Sequence, residues 1–355
     1  MKGIIYLLNT YIFLIIALPQ ANAGGCCYEE RKDIEKTFTV NKDVLLELTN
    51  KYGNVNIDTW DRNTINVLAE IIVNGKKEDD VKELLNRIDV RMEQGSNFVE
   101  IETIIEETQK KGWGWNWGNS NDLSYNIHYT VQMPKSGNVD IYNKYGNIDL
   151  DALNGYADIE LKYGDLDTKD IGKDLELDLG YGNAEIGKVQ NVDMYVKYSK
   201  IEIDACKQFD LESKYSSYNI GSVDLLDIDY CKYDKYKIKS VGILESDNKY
   251  TTFNIKYLAK SLDIESGYGK ITIDEVSPNF KLIEIDSSYT PISLDIDDEA
   301  GAKVNIETVY GSIDFFESKS VSFKKEDHSK YLNGTLGNGR GEIIIESRYG
   351  SINIQ

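Results

Sequence analysis

A tyrosine-centred motif recurs along this chain at a nearly constant interval, and it constrains the fold more than any other feature. The motif has the form Lys-Tyr-Gly-x-Ile-x-Ile, and its regular copies lie 17 or 18 residues apart. These copies are centred on Tyr145, Tyr163, Tyr181, Tyr198, Tyr215, Tyr233, Tyr250 and Tyr268. Further copies follow at Tyr289, Tyr310 and Tyr349, at intervals of 21, 21 and 39 residues. So short a repeat cannot bury an apolar face alone, so stacked neighbours must build the core together.

Within each repeat, apolar and polar residues alternate, as Ile148 and Leu150 or Ile159 and Leu161 illustrate. This period of two is typical of half-buried strands, and one repeat provides two short strands and two turns. The sequence therefore predicts an all-β protein. We expect a parallel β-solenoid (β-helix) of about eleven coils of 17–21 residues, preceded by a small β-rich cap with one helix.

The tyrosine column has two interpretations. It is either a structural ladder, because tyrosine favours strands and can bury its ring while its hydroxyl stays wet, or a ligand-stacking groove for sugars. We favour the structural ladder. The glycine that often follows the tyrosine suits a turn with positive φ, although Ser199, Ser216, Asp234 and Thr251 occupy that position in other coils.

The region before the repeats has a different organisation. Residues 1–23 are predicted to be a signal peptide, 24–37 a linker, 38–133 the cap and 134–355 the solenoid. In the cap we expect strands at 38–48, 65–73, 98–105 and 125–131 and a helix at 78–88, while an early motif copy at 51–57 stands alone. Trp113, Trp115 and Trp117 alternate in a glycine-flanked loop, which is either a hairpin tip packed on its own sheet or a contact for a glycan, a lipid or another protein.

The N-terminus predicts export. Lys2 precedes an apolar run at 4–18, and Ala21-Asn22-Ala23 fits a signal-peptidase site. Cys26 is an alternative acylation site, which would give a lipid anchor. No later stretch is apolar enough for a transmembrane helix in the mature chain. We expect a location in the periplasm, the outer membrane or at the cell surface of a bacterium.

Composition disfavours several functions. The chain has 60 acidic residues against 40 Lys and Arg, a net charge of −20, which disfavours binding to nucleic acid. Its two histidines and four cysteines show no metal-ligand spacing, and Cys206 occupies an aliphatic core position of its repeat. No catalytic constellation, metal site or cofactor site is predicted.

The order of signal peptide, strands with a helix, a Val-Gln-Met-Pro step at 131–134 and Gly-x-Ile-x-Ile repeats resembles the putative-adhesin family of bacterial envelope proteins, which includes the head-GIN-type adhesins. The resemblance spans roughly residues 38–355 and implies an exported or membrane-linked β-repeat protein. It implies no catalytic residue.

Three functions remain open at this point. The first is a non-catalytic adhesin or surface scaffold whose partner is a glycan or a surface protein. The second is a polysaccharide-binding or polysaccharide-processing β-helix. The third is a periplasmic scaffold that associates end to end, because the last coil, 349–354, has no evident cap and an uncovered strand pairs readily.

Overall fold

A computed structural model describes residues 27–106, 123–297, 299–316 and 320–355. The predicted signal peptide, Cys26 and the three loop tryptophans lie outside these residues. Within them, strands dominate and a single α-helix occurs, which confirms the all-β class. The described residues form two compact units, which divide after residue 169.

The first unit contains eleven described strands and one helix. They are β1 (Tyr28–Thr39), β2 (Leu45–Lys51), β3 (Val55–Trp60), β4 (Thr64–Gly75), α1 (Glu78–Arg87), β5 (Ile88–Gln94), β6 (Phe98–Ile105), β7 (Leu123–Pro134), β8 (Asn138–Lys144), β9 (Ile148–Leu150), β10 (Ala157–Lys162) and β11 (Leu166–Thr168).

Parallel pairing organises the repeats of the first unit. β2 pairs with β8 and β8 with β10, while β3 pairs with β9 and β9 with β11, always with equivalent repeat positions opposite each other. The sequence suggested that the motif copy at 51–57 stands alone. The structure instead pairs its strands directly with those of the next copy. The copy at 51–57 joins β2 to β3, which form the first coil of the stack, and the described cap strands β4 to β7 lie in the sequence between this copy and Tyr145.

The cap covers that first coil from outside. β6 pairs with β2 and β7 with β3, both in parallel, while β1–β4, β4–β7 and β5–β6 are antiparallel. Residues 28–37, predicted to be a linker, belong to β1. The division into compact units after residue 169 also differs from the predicted boundary at 133/134, because β2 and β3 pair directly with β8 and β9.

The helix α1 forms where the alternation of apolar and polar residues ends. Acidic residues come first there, and apolar residues at helical spacing follow them. Glu78, Asp79 and Asp80 occupy its first turn and Arg87 its last turn, an arrangement that opposes the helix dipole. Val81 is fully buried. α1 has ten residues, and no helix in the described ranges is long and apolar enough to cross a membrane.

The second unit contains seventeen described strands. They are β12 (Asp174–Gly180), β13 (Asn183–Lys188), β14 (Asn191–Lys197), β15 (Lys200–Lys214), β16 (Ser217–Lys232), β17 (Lys235–Lys249), β18 (Thr252–Ile255), β19 (Leu258–Gly267), β20 (Lys270–Val276), β21 (Leu282–Ser288), β22 (Ile292–Ile296), β23 (Ala302–Val309), β24 (Ser312–Phe315), β25 (Val321–Glu326), β26 (Ser329–Leu336), β27 (Gly341–Arg348) and β28 (Ser351–Ile354).

Two parallel ladders run through this unit. One passes through β12, β14, β15, β16, β17, β19, β21, β27 and β23. The other passes through β13, β15, β16, β17, β18, β20, β22, β28 and β24. The long strands β15 to β17 contribute to both. Alternate side chains, such as Leu177, Met194 and Leu211, point inward and form the buried core.

The last coil of the chain does not lie at the end of the ladders. β27 pairs with β21 on one side and with β23 on the other, and β28 lies in the same way between β22 and β24. The outer edge of β23 is covered by β26, and β26 by β25, both antiparallel. The expectation of an uncovered final coil is therefore wrong. The 39-residue interval before Tyr349 contains this antiparallel covering hairpin.

Candidate functional site: the tyrosine ladder and its groove

The motif tyrosines themselves adopt a left-handed backbone conformation, with positive φ. All twelve, from Tyr52 to Tyr349, have φ between 52° and 65°. The glycine that follows many of these tyrosines does not have a positive φ. The sequence analysis therefore assigned the positive φ to the wrong residue, one position after the tyrosine. A left-handed conformation costs a residue other than glycine about 1–2 kcal/mol. The amide of the tyrosine still continues the ladder around this corner, as in the hydrogen bond from Tyr215 N to Lys232 O of 3.0 Å.

The residue after the tyrosine is small for a different reason. A Cβ on Gly146 would overlap the carbonyl of Gly53 in the neighbouring coil, and a Cβ on Gly164 would overlap that of Gly146. Where this position carries a serine, its hydroxyl forms hydrogen bonds with nearby backbone groups. Ser216 Oγ donates to Lys214 O at 3.0 Å and accepts from Ser199 N at 3.3 Å.

The tyrosine rings stack on one another within each unit. In the first unit Tyr52 stacks on Tyr145 and Tyr145 on Tyr163, with centroids 5.0 and 5.1 Å apart. In the second unit the column follows the order of the coils in space and includes Tyr181, Tyr198, Tyr215, Tyr233, Tyr250, Tyr268, Tyr289, Tyr349 and Tyr310. Stacked aromatic pairs contribute about 0.5–1.5 kcal/mol beyond area burial, which offsets much of the backbone cost.

This tyrosine ladder is exposed at its rim rather than buried. Between 41% and 54% of each residue from Tyr145 onward in the ladder is accessible to solvent. Adjacent rings lie nearly parallel, so their faces cover one another, and even the terminal Tyr310 stacks on His328. A sugar therefore cannot lie flat on a ring within the ladder, which removes the ligand-stacking interpretation in its simple form. The surface offers a row of ring edges and hydroxyl groups at the spacing of the coils.

The residue before each tyrosine is usually a lysine whose ammonium covers the ladder. Lys144 Nζ lies 4.9 Å from the centroid of Tyr145 and 5.8 Å from that of Tyr163. Lys232 Nζ bridges Tyr233 and Tyr250 in the same way, at 5.1 and 5.7 Å. These distances are within the range of cation–π attraction.

The lysine column of the second unit is interrupted at Gly180 and again at Gly267 and Ser288, and a groove opens beside the second interruption. The positions opposite Lys249 in successive coils are Gly267 and Ser288. A groove of about 610 Å³ lies there, bordered by these residues, Tyr250 and Tyr268, a size within the range of ligand-binding clefts. Tyr268, which follows Gly267, is 53% exposed, against 43% for Tyr250, which follows Lys249.

The opposite side of the groove carries a row of carboxylates. Parallel pairing places Asp247, Glu265, Asp286, Glu346 and Glu307 opposite one another in five adjacent coils. The basic side chains that border the groove are Lys249 and Arg348. Five acidic groups therefore face two basic groups, and the groove is electronegative. The sequence analysis missed it, although Gly267 and Ser288 are visible breaks in the lysine column.

A polar cluster lies in the core of the second unit, behind the ladder. Tyr218, Tyr236 and Phe253 form an interior stack, with centroids 4.7 and 4.8 Å apart. Tyr218 donates a hydrogen bond of 2.6 Å to Ser213 Oγ, whereas the hydroxyl of Tyr236 has no partner. Asp234 Oδ1 accepts from a backbone amide, but Oδ2 has no partner, and burial raises the pKa of this carboxyl to about 6.

The buried cysteines have no arrangement for chemistry. Cys206 and Cys231 are free thiols inside the core, and burial raises the pKa of each to about 12. Cys206 occupies the aliphatic position predicted for it, next to Val223. Within the ranges that the structure covers, no group of three or more His, Cys, Asp or Glu side chains is arranged to hold a metal ion.

Comparison with known proteins finds similar solved structures of low sequence identity. No family model matches the chain. No curated protein matches it either. A crystal structure described as a "putative cell adhesion protein" from Clostridium sporogenes is 12% identical, with 91% of this chain and 99% of that chain covered and a TM-score of 0.17. Two structures described as a "putative adhesin", from Bacteroides fragilis and Parabacteroides distasonis, are 13% and 11% identical. Each covers 74% of this chain and 96% of its own, with TM-scores of 0.28 and 0.38.

Proposed function

We propose that this chain is an exported, non-catalytic bacterial surface protein that adheres to a linear polysaccharide through the tyrosine ladder. In this proposal the parallel ladders of each unit close into a β-solenoid, the predicted signal peptide directs export, and the coils present one repeated surface. The observation that carries the proposal is the row of tyrosine edges and hydroxyls within each unit, each about half exposed and one coil apart.

A repeated surface suits a repeated ligand. Each coil presents a phenolic hydroxyl, which both donates and accepts hydrogen bonds, and a partly exposed ring edge. Single contacts of this kind are weak, but a polymer that engages many coils at once gains affinity through effective concentration. Carbohydrate hydroxyls match this chemistry because they also donate and accept.

A glycan array tests the proposal. Residues 24–355 are compared with the variant Y215F/Y233F/Y250F, which retains the stacked rings and removes three exposed hydroxyls. The control is Y236F, because Tyr236 is fully buried, its hydroxyl has no partner, and Phe253 already occupies the equivalent position in the next coil. We expect saturable glycan binding that the triple variant weakens and the control retains.

The tryptophan loop is tested on the same array. Replacement of Trp113, Trp115 and Trp117 by alanine weakens binding if the predicted contact contributes to adhesion. Absence of glycan binding by the parent chain, or equal binding by the parent and the triple phenylalanine variant, contradicts a role for the ladder in adhesion.

A further inference from the structure

We infer that the groove beside Gly267 and Ser288 is the specificity-determining part of the adhesive surface, and that it selects a linear glycan with free amino groups, a polyglucosamine. This inference rests on the proposed function, since it names the class of glycan that the same surface would bind. It depends on the groove, its charge and its spacing.

The first step concerns access. In several other coils a lysine lies against the ladder, as Lys232 does over Tyr233 and Tyr250. At Gly267 and Ser288 no such side chain is present, so the surface is recessed and Tyr268 is more exposed than Tyr250. A polymer can therefore enter between the carboxylate row and the tyrosines at this place.

The second step concerns charge. Asp247, Glu265, Asp286 and Glu346 are exposed, and Glu307 is partly exposed. None of these five forms an ion pair in the part of the chain that the structure covers, in contrast to Glu202, which pairs with Lys200. An occupant that brings positive charge neutralises an unbalanced row, and such complementarity contributes both specificity and association rate.

The third step concerns spacing. The carboxylates recur once per coil, about 4.8 Å apart. An extended peptide presents side chains on one face every second residue, about 6.7 Å apart, and so loses step with the row within a few coils. A linear 1,4-linked glycan advances by about one coil spacing per sugar, and successive sugars turn over, so the amines on one side recur at about every second carboxylate while hydroxyls reach the tyrosine and serine hydroxyls.

The test measures binding of residues 24–355 to three probes by calorimetry: a glucosamine hexamer, an N-acetylglucosamine hexamer and a lysine hexamer. The variant G267K/S288K restores the lysine column. It is compatible with the fold because a Cβ on Gly267 meets only the side chain of Lys249, at 3.7 Å. The control N219K/N254K adds the same charge elsewhere, where Asn219 and Asn254 flank Lys237 in register.

We expect the glucosamine hexamer to bind about tenfold or more tightly than the acetylated one, and G267K/S288K to weaken it about tenfold or more while the control retains it. Equal affinity for the two sugars, an unaffected groove variant or tighter binding of the lysine hexamer would each overturn the inference and leave adhesion through the ladder standing. If no glycan of any class binds, either in this assay or on the array, both the inference and the proposed function are wrong.

Discussion

The buried carboxyl of Asp234 makes the stability of the second unit depend on pH. Asp234 is 1% exposed, and Ser216 N donates to its Oδ1 at 2.6 Å. Burial raises its pKa from 3.8 to about 6, and the hydrogen bonds to backbone amides only partly oppose this shift. The folded state therefore binds a proton that the unfolded chain releases more readily.

The sign and size of the effect follow from this difference. The contribution of Asp234 to stability is fully present below its unfolded pKa and is lost as the pH rises through about 6. The two pKa values differ by about two units, at 1.4 kcal/mol each, so the full loss is about 3 kcal/mol, of which about 2.5 kcal/mol falls between pH 4 and pH 8. The substitution Asp234→Ser removes the carboxyl and retains an acceptor for Ser216 N, because serine occupies the equivalent position at Ser199 and Ser216.

The measurement is the guanidinium-induced unfolding of the parent and of Asp234→Ser at several pH values from 4 to 8. We expect the free energy of unfolding of the variant, relative to the parent, to increase by about 2.5 kcal/mol from pH 4 to pH 8. Taking the difference cancels the pH dependence of the other carboxyls. Asp229→Ser, which removes an exposed carboxylate nearby, is the control. A difference that stays constant from pH 4 to pH 8 would refute the reasoning.

Three further predictions concern packing. Gly146→Ala lowers the midpoint of thermal unfolding markedly, because its Cβ would overlap the neighbouring coil, whereas Gly267→Ala leaves it nearly unchanged; equal midpoints would contradict this. The thiols of Cys206 and Cys231 stay unreactive toward a thiol reagent at pH 8 until the chain is unfolded, because they are buried and their pKa values are raised; rapid labelling of both in the native protein would contradict their burial. Deletion of residues 341–355 lowers the free energy of unfolding by several kcal/mol, because it removes a coil paired on both sides; a fully stable truncated chain would contradict the coil order.

Much of the local structure was predictable because strand formation depends on short-range patterns. The alternation of apolar and polar residues identified the strands, and the spacing of the tyrosines identified which residues lie opposite one another. The amphipathic pattern of the one segment without this alternation located the helix, predicted at 78–88 and observed at Glu78–Arg87. The spacing of the tyrosines also placed Cys206 in the core.

The order of the coils could not be read in this way, because similar repeats are interchangeable as partners. Tyr289 is followed in sequence by Tyr310, but it stacks on Tyr349, which in turn stacks on Tyr310. The choice depends on which strands cover the outer edge, and that is a property of the assembled unit. For the same reason the isolated early motif gave no sign that it stacks directly on the coil of Tyr145.

The sequence by itself thus determined the all-β class, the repeat register and the identity of the tyrosine column, since these depend on periodicity along the chain. Only the tertiary structure decided that the tyrosines take the positive φ, that their faces cover one another while their edges stay exposed, and that a gap in the lysine column opens an acidic groove. These features depend on contacts between coils, where the geometry of one residue is set by neighbours one repeat or more away in the chain.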